Sequence, residues 1–221
     1  MRTIWLEADG SSVGIIDQTR LPHELVTVRL TSLDQAAHAI RAMLVRGAPL
    51  IGAAAAYGVA LAMRHDPSAA ALDAACRSLL ATRPTAVNLR WALDDMQRVL
   101  RPLPVSARAA AAYGRAGEIA DEDVAINREI GRHGLKLIEA IAATKKPGDR
   151  VNVLTHCNAG WLATVDVGTA TAPIYTAHDQ GVPLHVWVDE TRPRNQGASL
   201  TAWELGHHGV PHTVILSLIH I

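Results

Sequence analysis

The sequence has few cysteines, no long run of one charge and no apolar stretch long enough to span a membrane. Its 21 basic residues balance its 21 acidic residues, so a net basic field that would attract nucleic acid is not indicated. The most apolar segment, residues 48–63, is shorter than the roughly 20 residues that cross a bilayer. The N-terminus lacks the basic and apolar regions of a signal peptide. The two cysteines, Cys76 and Cys157, therefore predict free thiols in a reducing cytoplasm.

Signatures of metals and cofactors are missing as well. The 11 histidines form neither an H-E-x-x-H pair nor a Cys/His finger spacing. The sequence contains no Gly-rich dinucleotide fingerprint and no Walker phosphate loop. We therefore expect no metal, no cofactor, no nucleic-acid partner and no membrane association.

The remaining patterns predict an α/β fold. Polar–apolar alternation over residues 3–30 predicts small strands, and helical periodicity predicts helices over about 33–44, 49–63, 68–82, 87–100 and 106–143. Later, apolar runs at 151–154, 182–188 and 211–215 alternate with helix-like segments at about 169–180 and 199–208, which indicates a parallel sheet. We expect a mainly helical N-terminal domain with small strands, residues 1–145, and a partial Rossmann-like domain, residues 146–215.

A cysteine follows the first strand of the predicted sheet, in the turn from Thr155 to Gly160. Ligands bind beyond the carboxyl ends of parallel strands, and the loop at 189–196 should leave the same edge. A thiol placed there can exchange a proton near neutral pH if its surroundings shift its pKa. Cys157 could equally be a packing residue, because free cysteine is among the most buried residue types. Cys76 lies within a predicted helix and is expected in the core.

Charged and amide side chains follow the second strand, in the segment from Asp189 to Gly197. Arginine can bind phosphate through two hydrogen bonds, and Gln196 can hydrogen-bond sugar hydroxyls. The alternative is a solvated loop in which two carboxylates and two guanidiniums neutralise one another.

Two further segments precede predicted helices. Arg46-Gly47-Ala48-Pro49 places backbone amides and a cation at a helix start, which suits an anion. Arg83-Pro84-Thr85 precedes another helix start. The glycines and alanines of the first segment could equally serve close packing of helices, and the second segment has the same ambiguity.

Together these segments resemble the methylthioribose-1-phosphate isomerase family. The resemblance runs from the first strand to about Ile215. The superfamily also contains ribose-1,5-bisphosphate isomerases and the regulatory alpha, beta and delta subunits of translation initiation factor 2B. The matching motifs lie at residues 17–22, 45–49, 83–89, 155–160, 168–170, 189–197 and 201–204.

The resemblance implies a sugar-phosphate aldose–ketose isomerase of methionine salvage, which converts 5-methylthioribose 1-phosphate to 5-methylthioribulose 1-phosphate. It implies that Cys157 is the catalytic cysteine and that the complete protein is a cytoplasmic homodimer. It also implies that the substrate's phosphate and hydroxyls are held by Arg46, Gly47, Ala48, Arg83 and Gln196. A ribose-1,5-bisphosphate isomerase and a non-catalytic regulatory subunit are the alternatives.

The sequence departs from the family pattern at its end. The family's acid is an aspartate on a later strand, followed by an Asn-Lys pair, and neither is present. Residues 216–221 match a translated transposon end used in sequencing libraries, so we expect them to be foreign. We therefore expect a truncated chain that is inactive as it stands and prone to associate through an unpaired strand edge.

Overall fold

The structure is a computed structural model that describes residues 1–216. Of the predicted foreign tail, residues 217–221 lie outside the described residues, and Leu216 ends the last strand. The chain divides into two compact units. One comprises residues 2–20 and 25–123, and the other comprises Met1, residues 21–24 and the chain from Val124 onward. The predicted domain boundary at residues 145 and 146 stays a prediction.

The first unit begins with a small antiparallel sheet in the order β1-β2-β3, formed by Ile4–Leu6, Val13–Ile16 and Thr27–Leu30. Asp9 shapes the turn between β1 and β2, because its carboxylate accepts hydrogen bonds from the backbone N–H groups of Ser11 and Ser12, both at 2.8 Å. The central strand β2 is wholly buried. The small strands predicted for residues 3–30 are therefore confirmed.

The first unit also contains four helices, and two of them begin after a serine that caps the helix. Ser32 and Ser68 each accept a hydrogen bond from a backbone N–H of the first turn, at 3.3 and 3.1 Å. A Cβ on Gly58 would lie 3.1 Å from both Ala36 and Leu79. The absence of a side chain at Gly58 therefore lets these two residues pack close to its backbone. The helices are α1 (Leu33–Arg41), α2 (Ala48–His65), α3 (Ala69–Leu80) and α4 (Val87–Leu100).

A long helix, α5 (Val105–Ala142), contributes residues to both units. Near its start, the buried guanidinium of Arg108 donates hydrogen bonds to four backbone carbonyls at 3.0–3.2 Å. Two of these carbonyls, on Leu100 and Arg101, lie at the end of α4, where the helix has no donors of its own. Arg108 therefore supplies donors to carbonyls at the end of α4, of which that of Leu100 also accepts from the backbone N–H of Leu103 at 3.2 Å.

The second unit contains a parallel sheet in the order β4-β5-β6, formed by Val151–His156, Leu184–Glu190 and His212–Leu216. The connection from β4 to β5 includes a 3₁₀ turn, Trp161–Ala163, and the helix α6 (Ala172–Asp179). The connection from β5 to β6 includes a π-helical turn, Gly197–Thr201, that continues into α7 (Ala202–His208). The predicted α/β class, with a mainly helical first part and a parallel β-α-β sheet, is confirmed.

Two local predictions are wrong. Asp189 and Glu190, expected in a loop, are the last residues of β5, because their backbones remain paired with the neighbouring strands. The helix expected from about residue 169 begins only at Ala172, after Gly168 has turned the chain at φ +88°. Across residues 1–216, no helix combines the length and apolarity that a membrane crossing requires.

Candidate active site

The carboxyl edge of the parallel sheet brings the two predicted loops together. His156, the last residue of β4, is in register with Asp189 of β5. The backbone N–H of Cys157 donates to the carbonyl of Asp189 at 3.2 Å. The segments at 155–160 and 189–196 therefore leave one edge of the sheet side by side, as the sequence predicts.

Cys157 lies in the left-handed region of backbone conformation, with φ +61°. A non-glycine residue rarely adopts this conformation, which costs on the order of 1 kcal/mol or more. Its thiol is free and half-buried, and Sγ donates to Oε1 of Gln196 at 3.2 Å. Two residues that the sequence assigns to substrate chemistry are thus in direct contact.

Hydrogen bonds between three further side chains hold this turn in place. The hydroxyl of Thr201 donates to the carbonyl oxygen of Cys157 at 2.6 Å. The amide nitrogen of Asn158 donates to the Thr201 hydroxyl at 3.0 Å and also to Oε1 of Glu204. The sequence did not single out Asn158, Thr201 or Glu204 as site residues.

Glu204 is completely buried. The Tyr175 hydroxyl donates to its Oε2 at 3.3 Å, and the backbone N–H groups of Trp161 and Leu162 also donate to the carboxyl. Burial raises the pKa of Glu204 from 4.5 to about 7, because desolvation outweighs the hydrogen bonds that favour the charged form. Burial likewise raises the pKa of Tyr175. Near neutral pH this carboxyl can hold or release a proton.

Glycines allow the carboxyl to lie against the turn. A Cβ on Gly160 would lie 2.0 Å from Oε2 of Glu204, so no larger residue fits without movement. The predicted motif at residues 168–170 supports the same turn. Gly168 has φ +88°, and Thr169 donates from its backbone N–H and its hydroxyl to the carbonyl of Ala159 at 3.0 and 3.1 Å.

Asp189 and Glu190 each have a defined role at the end of β5. Asp189 is 3% exposed, and its Oδ2 lies 2.5 Å from Nδ1 of His156, while its buried Oδ1 has no partner among the described residues. The Glu190 carboxylate accepts from the backbone N–H groups of Thr191, Gly197 and Ala198 at 2.6–3.0 Å. It thereby anchors the start of the π-helical turn directly after Gln196.

The two arginines of this loop do not neutralise these carboxylates. Arg192 and Arg194 are exposed, and neither forms an ion pair with any residue between 1 and 216. The alternative of a self-compensating loop is therefore wrong for the described part of the chain. Both guanidiniums are free to meet an anion at the sheet edge.

The other predicted anion-binding residues belong to the first unit. Gly47 has φ +86° and precedes α2, whose start carries Pro49 as expected. Arg46 is buried. A Cβ on Gly52 would lie 3.1 Å from the carbonyl of Asn88, so α2 and the start of α4 are in close contact.

Arg83 precedes the start of α4 that this contact brings against α2. Its Nη1 is buried without a hydrogen-bond partner in residues 1–216. Arg46 and Gly47 therefore precede α2, which Ala48 begins, and Arg83 precedes the adjoining helix α4. Cys157 and Gln196 form a separate cluster in the second unit.

Cys76 differs from Cys157 as expected. It is buried in α3, and burial raises its pKa to about 11. Among the described residues, no group of three or more His, Cys, Asp or Glu side chains is arranged to hold a metal ion.

A profile of the initiation factor 2 subunit family matches residues 44–219, which is most of the chain. The chain belongs to this family. Methylthioribose-1-phosphate isomerase of Rhodospirillum rubrum is 67% identical over 218 residues, which cover 97% of this chain and 56% of that protein. The chain thus spans little more than half the length of the curated relatives that it matches.

Two solved structures of the family superpose closely on this chain. One is 5-methylthioribose 1-phosphate isomerase from Pyrococcus horikoshii, with a TM-score of 0.85, 37% identity and coverage of 99% of this chain and 61% of that chain. The other is translation initiation factor eIF-2B, subunit delta, from A. fulgidus, with a TM-score of 0.84, 38% identity and coverage of 99% and 63%.

Proposed function

We propose that the complete protein is a methylthioribose-1-phosphate isomerase of methionine salvage. The observation that carries this proposal is the 67% identity to the Rhodospirillum rubrum isomerase across nearly the whole chain. The contact between the Cys157 thiol and Gln196 at the sheet edge supports it, because a thiol in a strained polar turn suits chemistry better than packing.

The reaction moves one hydrogen within the sugar. Phosphate on C1 locks the anomeric carbon, so an acid first protonates the ring oxygen while its bond to C1 breaks. Hydrogen then leaves C2 and arrives at C1, and the C2 hydroxyl loses its proton to become the ketone. C2 is oxidised and C1 is reduced, so the step needs no external oxidant, reductant or cofactor.

In this proposal Cys157 is the catalytic cysteine next to the reacting carbons. Its thiol either relays the proton between C2 and C1 or assists a hydride shift. Gln196 orients the thiol and the sugar hydroxyls. The guanidiniums of Arg46 and Arg83, with the backbone amides of Gly47 and Ala48, hold the phosphate. The family resemblance assigns the acid to an aspartate on a strand after β6.

The test compares two sugar phosphates with a chain completed to the length of its relatives. The proposal predicts turnover of 5-methylthioribose 1-phosphate, followed by NMR detection of the C2 ketone, and little turnover of ribose 1,5-bisphosphate. Preference for the bisphosphate would assign the protein to the other isomerase. No turnover of either compound would contradict an isomerase function.

A non-catalytic subunit is the second candidate, supported by the 38% identity to the A. fulgidus structure of eIF-2B subunit delta. Such a subunit would bind partner proteins and would not need Cys157. Loss of turnover without Cys157 argues against it.

We further propose a cytoplasmic homodimer. Sedimentation velocity of the completed chain is expected to give the mass of two copies. A single copy at micromolar concentration would contradict this assembly.

A further inference from the structure

A buried carboxyl lies directly behind the turn that carries the Cys157 thiol. Glu204 is inaccessible to solvent and forms no ion pair within residues 1–216. Burying a carboxyl without a cation is costly, and an apolar side chain would fill the same space at lower cost. The hydrogen bonds that the Glu204 carboxyl accepts are therefore the reason to expect a role for this residue.

Those hydrogen bonds lead to the backbone of Cys157 in three steps. Glu204 accepts from the amide of Asn158, which donates in turn to the hydroxyl of Thr201 at 3.0 Å. Thr201 donates to the Cys157 carbonyl at 2.6 Å. Thr201 and Glu204 are three residues apart where the π-helical turn continues into α7, so one helical segment carries two members of this chain.

The turn needs this support because its conformation is unfavourable. Cys157 has φ +61°. A residue with a Cβ rarely adopts this backbone angle unless the surrounding structure enforces it. A relaxed turn would withdraw the thiol from Gln196, which it contacts at 3.2 Å. Gly160 lacks the side chain that would separate the turn from the Glu204 carboxyl, and Gly168 lacks one that would clash with the backbone of Gly160.

We propose that Glu204 is the positioning residue of Cys157. Acting through Asn158 and Thr201, it holds the left-handed turn that presents the thiol to Gln196. The importance of this role for catalysis rests on the proposed isomerase function. The positioning itself is measurable on the thiol without any turnover, so failure of one proposal is distinguishable from failure of the other.

The experiment measures the rate at which iodoacetamide alkylates each cysteine, resolved by mass spectrometry of peptides. Glu204→Leu and Thr201→Val both break the hydrogen-bonded chain. Each is expected to accelerate alkylation of Cys157 by about fivefold, the effect of losing one net hydrogen bond. Cys76 is buried in α3 and reports general opening of the fold, so its rate should not change.

Two further variants separate positioning from a merely structural effect. Glu204→Gln keeps an oxygen for Asn158 and should leave the Cys157 rate close to that of the unaltered protein. Glu139→Gln, an exposed site on α5, is the matched control and should also leave it unchanged. If Glu204→Leu fails to fold, Thr201→Val and Glu204→Gln decide the question. An unchanged Cys157 rate in Thr201→Val, or a parallel rise at Cys76, would overturn the proposal.

Discussion

The thiol of Cys157 donates a hydrogen bond to the side-chain oxygen of Gln196 at 3.2 Å, across 39 residues of sequence. The two residues meet because parallel strands place the loops that follow them at one edge of the sheet. This contact can be tested by adding a charge to it. Gln196→Glu would place a carboxylate next to the sulfur and disfavour the reactive thiolate.

We expect Gln196→Glu to slow alkylation of Cys157 by about tenfold at pH 8. Gln180→Glu, at the exposed end of α6, adds the same charge away from the thiol and should have no effect. Equal rates in the two variants would show that the contact with Gln196 does not control the thiol.

Gly160 should tolerate no side chain. A Cβ there would lie 2.0 Å from Glu204, so Gly160→Ala should lower the free energy of unfolding by about 2–3 kcal/mol. Gly114, inside α5, has nothing within 4 Å of a built Cβ, so Gly114→Ala should raise it by about 0.5–1 kcal/mol. Urea denaturation of both variants checks the opposite signs. Equal changes would refute the steric argument.

Stability should depend on pH through Glu204. The folded protein holds this proton up to a pKa of about 7, whereas the unfolded chain releases it near 4.5. Between these values the folded state binds more protons, so this residue's contribution is fully present below pH 4.5 and is lost as pH rises through 7.

Glu204→Gln removes this titration. Compared with the unaltered protein, the variant should gain up to about 3 kcal/mol of stability between pH 5 and pH 8. Urea unfolding of both proteins across this range measures the difference, in which the other carboxyls cancel. A difference that is independent of pH would mean that Glu204 titrates normally.

Arg108 should be essential for the stability of the first unit. Its guanidinium donates to four carbonyls, so Arg108→Met should cost about 3 kcal/mol by leaving several of them unpaired. Arg128→Met, at an exposed position on the same helix, should cost under about 0.5 kcal/mol. Similar losses in both variants would contradict the special role of Arg108.

The helices of the first unit follow closely from local sequence signals. Ser32 and Ser68 cap their helices, and α4 spans residues 87–100 as the apolar spacing predicts. Such signals act over a few residues and do not depend on the rest of the fold. The order of strands and helices after residue 150 was likewise sufficient to predict a parallel sheet.

The support of the Cys157 turn could not be predicted in this way. Glu204 follows a tryptophan in a short helix, and its carboxyl is buried only because it meets the turn after β4 and Tyr175 of α6 in the folded chain. Similarly, the polar side chains of Asp189 and Glu190 indicated a loop. Backbone pairing keeps both in β5, Asp189 with β4 and β6 and Glu190 with β6. The resemblance motif at 201–204 was the one signal that pointed towards Thr201 and Glu204.

The proposed function depends on Cys157 as the catalytic cysteine. Its most direct test is turnover of 5-methylthioribose 1-phosphate by the completed chain carrying Cys157→Ala, with Cys76→Ala as the matched control. We predict that Cys157→Ala abolishes turnover while circular dichroism and the unfolding midpoint stay unchanged, and that Cys76→Ala remains active. Near-normal turnover by Cys157→Ala would contradict the account.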